Sequence, residues 1–260
     1  YYFSKKMFEK KITVMIQART GSSRLPGKVL SQIENKSMIW HVINRVKKIK
    51  SVQQIVLITT NDESDQVLLD IAKNEDIMGF AGDTTNVLSR HYQCALKTSA
   101  DPIIRITSDC PIIDPYLVED MLQFFLTHNY DYVSNIHPAT YPDGLDVEIF
   151  SFQTLEKTFL DAKLNSEKEH VTPYVEKHPE LFNIFNFEND EDLSHIRLTV
   201  DEKEDLELIQ HLYSVMSPKN DFGLNEIKNI ISKNPELFRI NSKYGRNEGY
   251  LKSLKEDKIE

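Results

Sequence analysis

From residue 11 to residue 107 the chain alternates short apolar runs rich in β-branched residues with longer stretches whose apolar positions recur every three or four residues; no other feature restricts the fold as strongly. Lys11 to Ala18 and Gln54 to Thr60 are two such runs. Between them, Ser37 to Ile49 places Met38, Ile39, Val42, Ile43, Val46 and Ile49 on one helical face. The alternation continues with a helix over Glu63 to Asn74, a strand over Ile77 to Ala81, a helix over Thr85 to Lys97 and a strand over Pro102 to Thr107. Strand and amphipathic helix in strict succession predict an α/β fold, with a mostly parallel central sheet covered by helices on both faces. Such sheets bind ligands beyond the carboxyl ends of their strands, so the chemistry is expected in the loops after Ala18, Thr60, Thr107 and Val200.

Asp114-Pro115 is a helix start, with aspartate as cap and proline in the first turn, and that helix is expected to run to Thr127. The pattern then loosens. Strands are expected at Asp131 to Ser134 and Asp146 to Phe150 around a Pro142-Asp143-Gly144 loop, with helices at Phe152 to Ala162 and Glu169 to Lys177. A strand at Ile196 to Val200 is expected to return to the sheet, followed by a helix from Glu202 to Tyr213. The 260 residues thus divide into a main domain over 7–218, with a less regular insertion at about 131–195 that is expected to shape a pocket and a subunit contact. A helical extension follows over 219–260, with an end expected to fray. Tyr1 to Lys6 precede the first methionine, Met7, and are expected to be a remnant or the end of a leader outside the fold.

A formal charge of -9 argues against nucleic acid or an anionic membrane as partner, since those surfaces are met by basic stripes. No apolar run approaches the roughly 20 residues that span a bilayer, and no signal-peptide pattern is present, so a cytoplasmic location is expected. Cys94 and Cys110 form no disulfide or metal framework and are expected to be packed thiols.

The cations that the chain does focus lie directly after the first strand, in Ala18-Arg19-Thr20-Gly21-Ser22-Ser23-Arg24-Leu25-Pro26-Gly27-Lys28. Three cations, three hydroxyls and two glycines in a strand-to-helix connection suit a polyphosphate. It is not a Walker A loop, because five residues separate Gly21 from Gly27 and Val29 follows Lys28. Two aspartates follow expected strands: Asp109, in Arg105-Ile106-Thr107-Ser108-Asp109-Cys110-Pro111, and Asp201, in Arg197-Leu198-Thr199-Val200-Asp201. Carboxylates facing a phosphate loop are the ligands that magnesium takes in phosphoryl-type transfer. The competing reading is helix capping. Asp114 already caps the helix after Asp109, whereas Asp201 precedes helical sequence directly, so both readings stand there.

The order of residues in the cationic loop resembles the signature of the cytidylyltransferases that activate sugar acids, such as the CMP-sialate and CMP-keto-deoxy-octulosonate synthetases. It is similar above all to the spore-coat polysaccharide biosynthesis F type of that family. The resemblance covers Lys11 to Leu208 by motif. It implies a Rossmann-like nucleotide-diphospho-sugar transferase fold and a CTP-dependent enzyme that joins CMP to a sugar or sugar acid and releases pyrophosphate, working as a homodimer. It implies Arg19, Arg24, Lys28 and Asp109 as catalytic residues, with Ala18, Gly21, Ser22 and Ser108 also on the nucleotide and Mg2+ on Asp109 and Asp201. Many relatives have threonine where Glu202 stands here.

Gly82-Asp83 with Val87-Leu88-Ser89-Arg90 matches a stretch beside the nucleotide, which makes Asp83 and Arg90 candidates for base or ribose. Two further matches, Pro142 to Glu148 and Glu169 to Tyr174, put Asp146, Glu148, His170 and Tyr174 near the acceptor. Arg197 or Arg105 is the cation expected for an acceptor carboxylate if it faces the cleft, the alternative for each being a pairing within the fold. UTP- or GTP-dependent relatives usually open with Leu-Ala-Gly-Gly, and Ile16-Gln17-Ala18-Arg19 here favours CTP. A non-catalytic nucleotide-binding homologue would have lost a metal acid or loop cation, and none is lost. A retaining glycosyltransferase would carry Asp-x-Asp, and Asp109-Cys110-Pro111 lacks the second acid.

Overall fold

The computed structural model describes residues 9–219 and 221–257, so Tyr1 to Lys6, Met7 and the last three residues lie outside it. β1 (Lys11–Gln17) is followed by a small hairpin of β2 (Gln32–Ile33) and β3 (Lys36–Ser37), then α1 (Met38–Val46), β4 (Gln54–Thr60), α2 (Gln66–Asn74), β5 (Met78–Gly82), α3 (Val87–Thr98) and β6 (Ala100–Thr107). Each helix of the expected alternation is present, started by the residues that favour caps. Ser37 accepts from the Trp40 N–H, Asn86 from Ser89, and Asp114 from Tyr116 and Leu117 at the head of α4 (Pro115–Thr127).

β7 (Tyr132–Ser134), β8 (Glu148–Phe150), α5 (Phe152–Asp161), α6 (Asn165–His170), α7 (Pro173–Lys177) and β9 (Ile184–Asn186) form the middle section. α8 (Lys203–Met216), α9 (Leu224–Lys233) and α10 (Glu248–Lys255) complete the described chain. The seven-stranded sheet has the order β5-β4-β1-β6-β8-β7-β9. β1 pairs in parallel with both β4 and β6, β4 with β5, and β7 with β9, while β8 runs antiparallel to β6 and β7. Alternate side chains divide the core. Val14 and Ile16 of β1 face α1, α2, α4 and α8 on one side of the sheet, and Met15 faces the layer of α3, α5 and α7 on the other. No helix among the described residues is long and apolar enough to cross a membrane. Cys94 and Cys110 are buried free thiols.

Three expectations are corrected. Glu169 to Lys177 is not one helix, because Val171 takes a φ of 74° and Pro173 starts a new turn, which divides the segment into α6 and α7. Ile196 to Val200 is buried but is not a sheet strand. Its single bridge joins Arg197 to Asp143, and its N–H groups bond loop carbonyls instead: Leu198 to Asp143 (2.6 Å) and Val200 to Asp109 (2.8 Å). Gly144 permits that contact. It holds a φ of 104°, and a Cβ there would lie 2.5 Å from the Thr199 nitrogen. Finally, the C-terminal extension does not fray over its described length: α10 packs on α6, with Asp257 accepting from the Ser166 N–H at 2.7 Å and hydroxyl at 2.8 Å.

Candidate active site

The strand order reverses at β1: β4 and β5 lie to one side and β6 to the other, so the loops after β1 and β6 leave the sheet in opposite directions and open a crevice. The cationic loop lines one wall. Asp65, just past β4, fixes its start by accepting from the Thr20 N–H (2.7 Å) and hydroxyl (2.6 Å) and from the Thr60 hydroxyl (2.5 Å). Burial alone would raise the Asp65 pKa, but these donors hold it below the ordinary carboxylate value. Gly27, at a φ of 69°, bonds back to the Thr20 carbonyl (3.1 Å) and turns the chain so that Lys28 points inward, 9% exposed. Within the loop, Ala18 is buried and bonds Ile58, the Ser22 hydroxyl accepts from the Leu25 N–H, and Gly21 has open space around its Cα.

Lys28 lies between the two aspartates singled out in the sequence. Its Nζ is 3.2 Å from Asp109 Oδ2, 2.7 Å from Asp201 Oδ1 and 2.8 Å from the Val200 carbonyl. Burial pulls the Lys28 pKa down, yet the two carboxylates outweigh it and leave it raised. Burial acts upward on Asp109, and Lys28 brings it below the ordinary value. Capping does not explain Asp201, because Asp205 accepts the backbone N–H groups of Asp201 and Glu202 (both 2.9 Å) at the head of α8. No group of three or more His, Cys, Asp or Glu placed for a metal occurs among the described residues. Two carboxylates on one ammonium are nevertheless a donor set that suits a divalent ion sharing phosphate and water ligands.

Arg24 pairs with Asp201 (2.9 Å), Glu202 (3.5 Å) and Glu248 (3.3 Å), whereas Arg19 is exposed and has no hydrogen-bond or ion-pair partner among the described residues. Beside it, Arg90 is 2% exposed and donates through Nε to the Asp83 carbonyl (3.0 Å). Burial, then the nearby charge of Arg19, lowers the Arg90 pKa. The Asp83 carboxylate accepts from the N–H groups of Thr85 and Asn86, closing the turn into α3. Ser108 is buried at the end of β6, its N–H on the Gln17 carbonyl.

Deeper in the crevice is a cavity of about 260 Å3, bounded by Asp109 and Asp201 at one end and by Asp146, Glu148, His170 and Glu176 beyond. Glu148 accepts from Arg105, from the Tyr132 hydroxyl (2.8 Å) and from the Thr172 hydroxyl (2.5 Å). Asp146 pairs with Arg246, and burial first of all pushes its pKa up to about 7. Tyr174 does not have the surroundings expected of an acceptor ligand, and Arg197, although it lines the cavity, is paired within the fold. Arg197 is 6% exposed and already held by Asp143 (3.0 Å), Asp201 (3.2 Å) and Asp205 (2.9 Å), so it braces Asp201 and its guanidinium is taken up by carboxylates of the fold. Tyr174 stacks on His178 at 4.1 Å in the layer on the other side of the sheet and is not among the cavity-lining residues.

Sequence reasoning missed Asp65, Asp205, His137 and the C-terminal segment. His137 lines the cavity with Nε2 3.1 Å from Glu176, a hydrogen bond that raises its pKa against the opposing effect of burial. Asp65 and Asp205 had a visible signal, an acid in the first turn after a buried run. The C-terminal segment had a weaker one: Gly245, Arg246 and Asn247 interrupt Lys/Glu-rich sequence.

Comparison with known proteins agrees with this geometry. A family model described as cytidylyltransferase matches residues 13–243. The chain is 35% identical to MJ1063 of Methanocaldococcus jannaschii over 89% of its own length and 95% of that protein's. It is 30% identical to the spore coat polysaccharide biosynthesis protein SpsF of Bacillus subtilis, over 86% and 95%. An 8-amino-3,8-dideoxy-manno-octulosonate cytidylyltransferase of Shewanella baltica is 29% identical over 58% of this chain and 56% of its own. Among solved structures, a cytidylyltransferase from Leptospira borgpetersenii superposes with a TM-score of 0.85 at 32% identity, covering 88% of this chain and 97% of that one. With its cationic loop, its paired aspartates and a family match over nearly the whole described fold, the chain belongs to the cytidylyltransferase family, the CTP-dependent nucleotidyltransferases.

Proposed function

We propose that this enzyme transfers CMP from CTP to a hydroxyl of a sugar acid and releases pyrophosphate, supplying an activated sugar for a surface polysaccharide or glycan. The observation that carries this reading is the position of Lys28 between Asp109 and Asp201, with a cationic loop on one side and a polar cavity on the other. The acceptor oxygen attacks the α-phosphorus of CTP, its proton leaves, and the bond from that phosphorus to the pyrophosphate oxygen breaks. No covalent enzyme intermediate is required.

Arg19, Arg24 and Lys28 neutralise charge on the transferring group and the departing pyrophosphate; Ala18, Gly21, Ser22 and Ser108 line its path. Arg90, braced on the Asp83 carbonyl, takes the base or ribose side. Asp109 and Asp201 would hold Mg2+, which supplies charge stabilisation for the phosphates and makes a bound hydroxyl more acidic. Asp146, Glu148 and His170 line the acceptor half, where carboxylates accept from sugar hydroxyls. The names of SpsF and of the Shewanella enzyme support a polysaccharide context and a keto-deoxy sugar acid, with or without an amino group. A homodimer remains part of the proposal, to be tested by light scattering.

The test is pyrophosphate release with Mg2+ from each of CTP, UTP, GTP and ATP against a panel of sugar acids and amino sugars. The panel includes 3-deoxy-manno-octulosonate and its 8-amino-8-deoxy counterpart, and Asp109→Ala is the control. Release with CTP and a sugar acid that disappears in the variant is the expected result. Release only with neutral sugars would sink the sugar-acid assignment.

A further inference from the structure

Residues 245–250 lie beyond the family match, which ends at 243, yet five of them line the cavity: Gly245, Asn247, Glu248, Gly249 and Tyr250. The segment is a strap tied down on both sides. On the near side Asn241, 1% exposed, donates to the Arg197 carbonyl (3.0 Å) and to Asp205 (2.8 Å), and Arg197 in turn donates to the Gly245 carbonyl (3.1 Å). Arg246 donates to the Tyr141 carbonyl (3.0 Å) and pairs with Asp146. On the far side the Ser253 hydroxyl meets His170 (3.0 Å) and Glu169 (2.7 Å), and Asp257 holds Ser166. Between these ties the strap runs along the cavity, and its Glu248 also reaches Arg24 of the cationic loop (3.3 Å).

Most polar groups of the acceptor half are already engaged. Asp146 is paired with Arg246, Glu148 with Arg105, Glu176 with His137, and His170 with Ser253. The strap brings two groups that are not. Asn247 turns the chain into α10 at a φ of 59°, and its carboxamide has no hydrogen-bond partner among the described residues. The Tyr250 ring meets His170 edge-on at 5.1 Å, and its hydroxyl likewise has no partner among them. A carboxamide and a phenol beside an aromatic face are what a polyhydroxylated chain requires: donors and acceptors for its hydroxyls and a surface for its C–H groups.

We propose that Asn247 and Tyr250 are specificity-determining residues for the acceptor sugar, presented by a strap that Arg246 anchors on Asp146. The inference rests on the cytidylyl-transfer reading above and deepens it.

The experiment measures KM and kcat separately for CTP and for whichever of 3-deoxy-manno-octulosonate and its 8-amino-8-deoxy counterpart the wild-type enzyme turns over. Asn247→Ala, Tyr250→Ala and Tyr250→Phe are compared with Leu251→Ala, an exposed neighbour off the cavity. Asn247→Ala and Tyr250→Ala are expected to raise the acceptor KM about tenfold or more, with the CTP KM within about twofold and Leu251→Ala unchanged. Tyr250→Phe keeps the ring and its packing, and is expected to lose part of that discrimination through the hydroxyl alone. An unchanged acceptor KM in both alanine variants, or equal rises for CTP and acceptor, overturns the proposal. A wild-type enzyme that releases no pyrophosphate from CTP with either sugar acid fails at the earlier reading, is recognised before any variant is made, and takes this proposal down with it.

Discussion

At the scale of single residues, Lys28 shows how a side chain called a phosphate ligand from sequence has a second role in the folded chain. Its ammonium is the counter-charge for Asp109 and Asp201, two acids that would repel each other in a crevice that partly excludes water. Lys28→Met is expected to lower kcat/KM by about 10²- to 10³-fold in a pyrophosphate-release assay, the range seen when a positioned transition-state charge is lost. His91 makes a prediction of another kind. It is 0% exposed; Nδ1 lies 2.9 Å from the Val87 carbonyl, Nε2 has no partner, and burial lowers its pKa to about 3. The unfolded chain takes up that proton near the ordinary value of 6.5 and the folded chain only near 3. Between those values the unfolded state therefore binds more protons, and stability falls as pH falls. The slope approaches ~1.4 kcal/mol per pH unit from this residue. Urea midpoints followed from pH 7 to pH 4.5 should show that loss, and His91→Leu, which removes the group, should flatten the profile. A profile identical in the two proteins would remove His91 from the account.

At the scale of elements, the loop of residues 142–146 and the segment 196–200 hold each other, and Gly144 is where they touch. Its φ of 104° and a Cβ that would meet the Thr199 nitrogen at 2.5 Å make Gly144→Ala strained and obstructed together. It is expected to cost about 1–3 kcal/mol of stability by denaturant titration. The same variant should also weaken turnover in the pyrophosphate-release assay, because Leu198 to Val200 set the position of Asp201. This contact also marks where the sequence stopped being legible. β1, β4 and β6 were readable because a strand buried on both faces is a continuous apolar run, and α1, α3 and α4 because period and cap agree. Ile196 to Val200 has the same apolar character, but it is buried against loops, and burial without a ladder leaves no separate trace in sequence. Whether Arg197 pairs within the fold was left open in the sequence for a related reason. The three acids that occupy it are Asp143, Asp201 and Asp205, and the most distant is 54 residues away in the chain, brought close by that unpredicted contact.

At the scale of the whole molecule, the site joins parts that are far apart in sequence: a loop at residues 18–28, aspartates at 109 and 201, and a strap at 245–250. The first two were legible because their chemistry is local, a run of cations or an acid after a strand. The strap was not, since nothing in Gly245 to Tyr250 says what it will lie against. One consequence links all the parts to stability. Arg24 is shared among Asp201, Glu202 and Glu248, and Lys28 between Asp109 and Asp201, so loop, α8 and strap are cross-tied by charges that the proposed reaction would use elsewhere. On the proposed reading, CTP with Mg2+ would exchange these ties, with the cations engaging phosphate and Asp109 and Asp201 holding the metal. Because that complex binds the folded chain and not the unfolded one, saturation at about 100 times the dissociation constant should stabilise the protein by ~2.7 kcal/mol, a rise of several degrees in Tm. CTP with excess chelator should give only a small part of the rise, since four phosphate charges then face Asp109 and Asp201 without a cation between them. Asp109→Asn should narrow the gap between the metal and chelator conditions, because one of the two groups that make the metal necessary is gone. Equal rises with metal and with chelator in the wild-type protein would show that the nucleotide binds without the paired aspartates, and the metal assignment would fall while the family assignment stood.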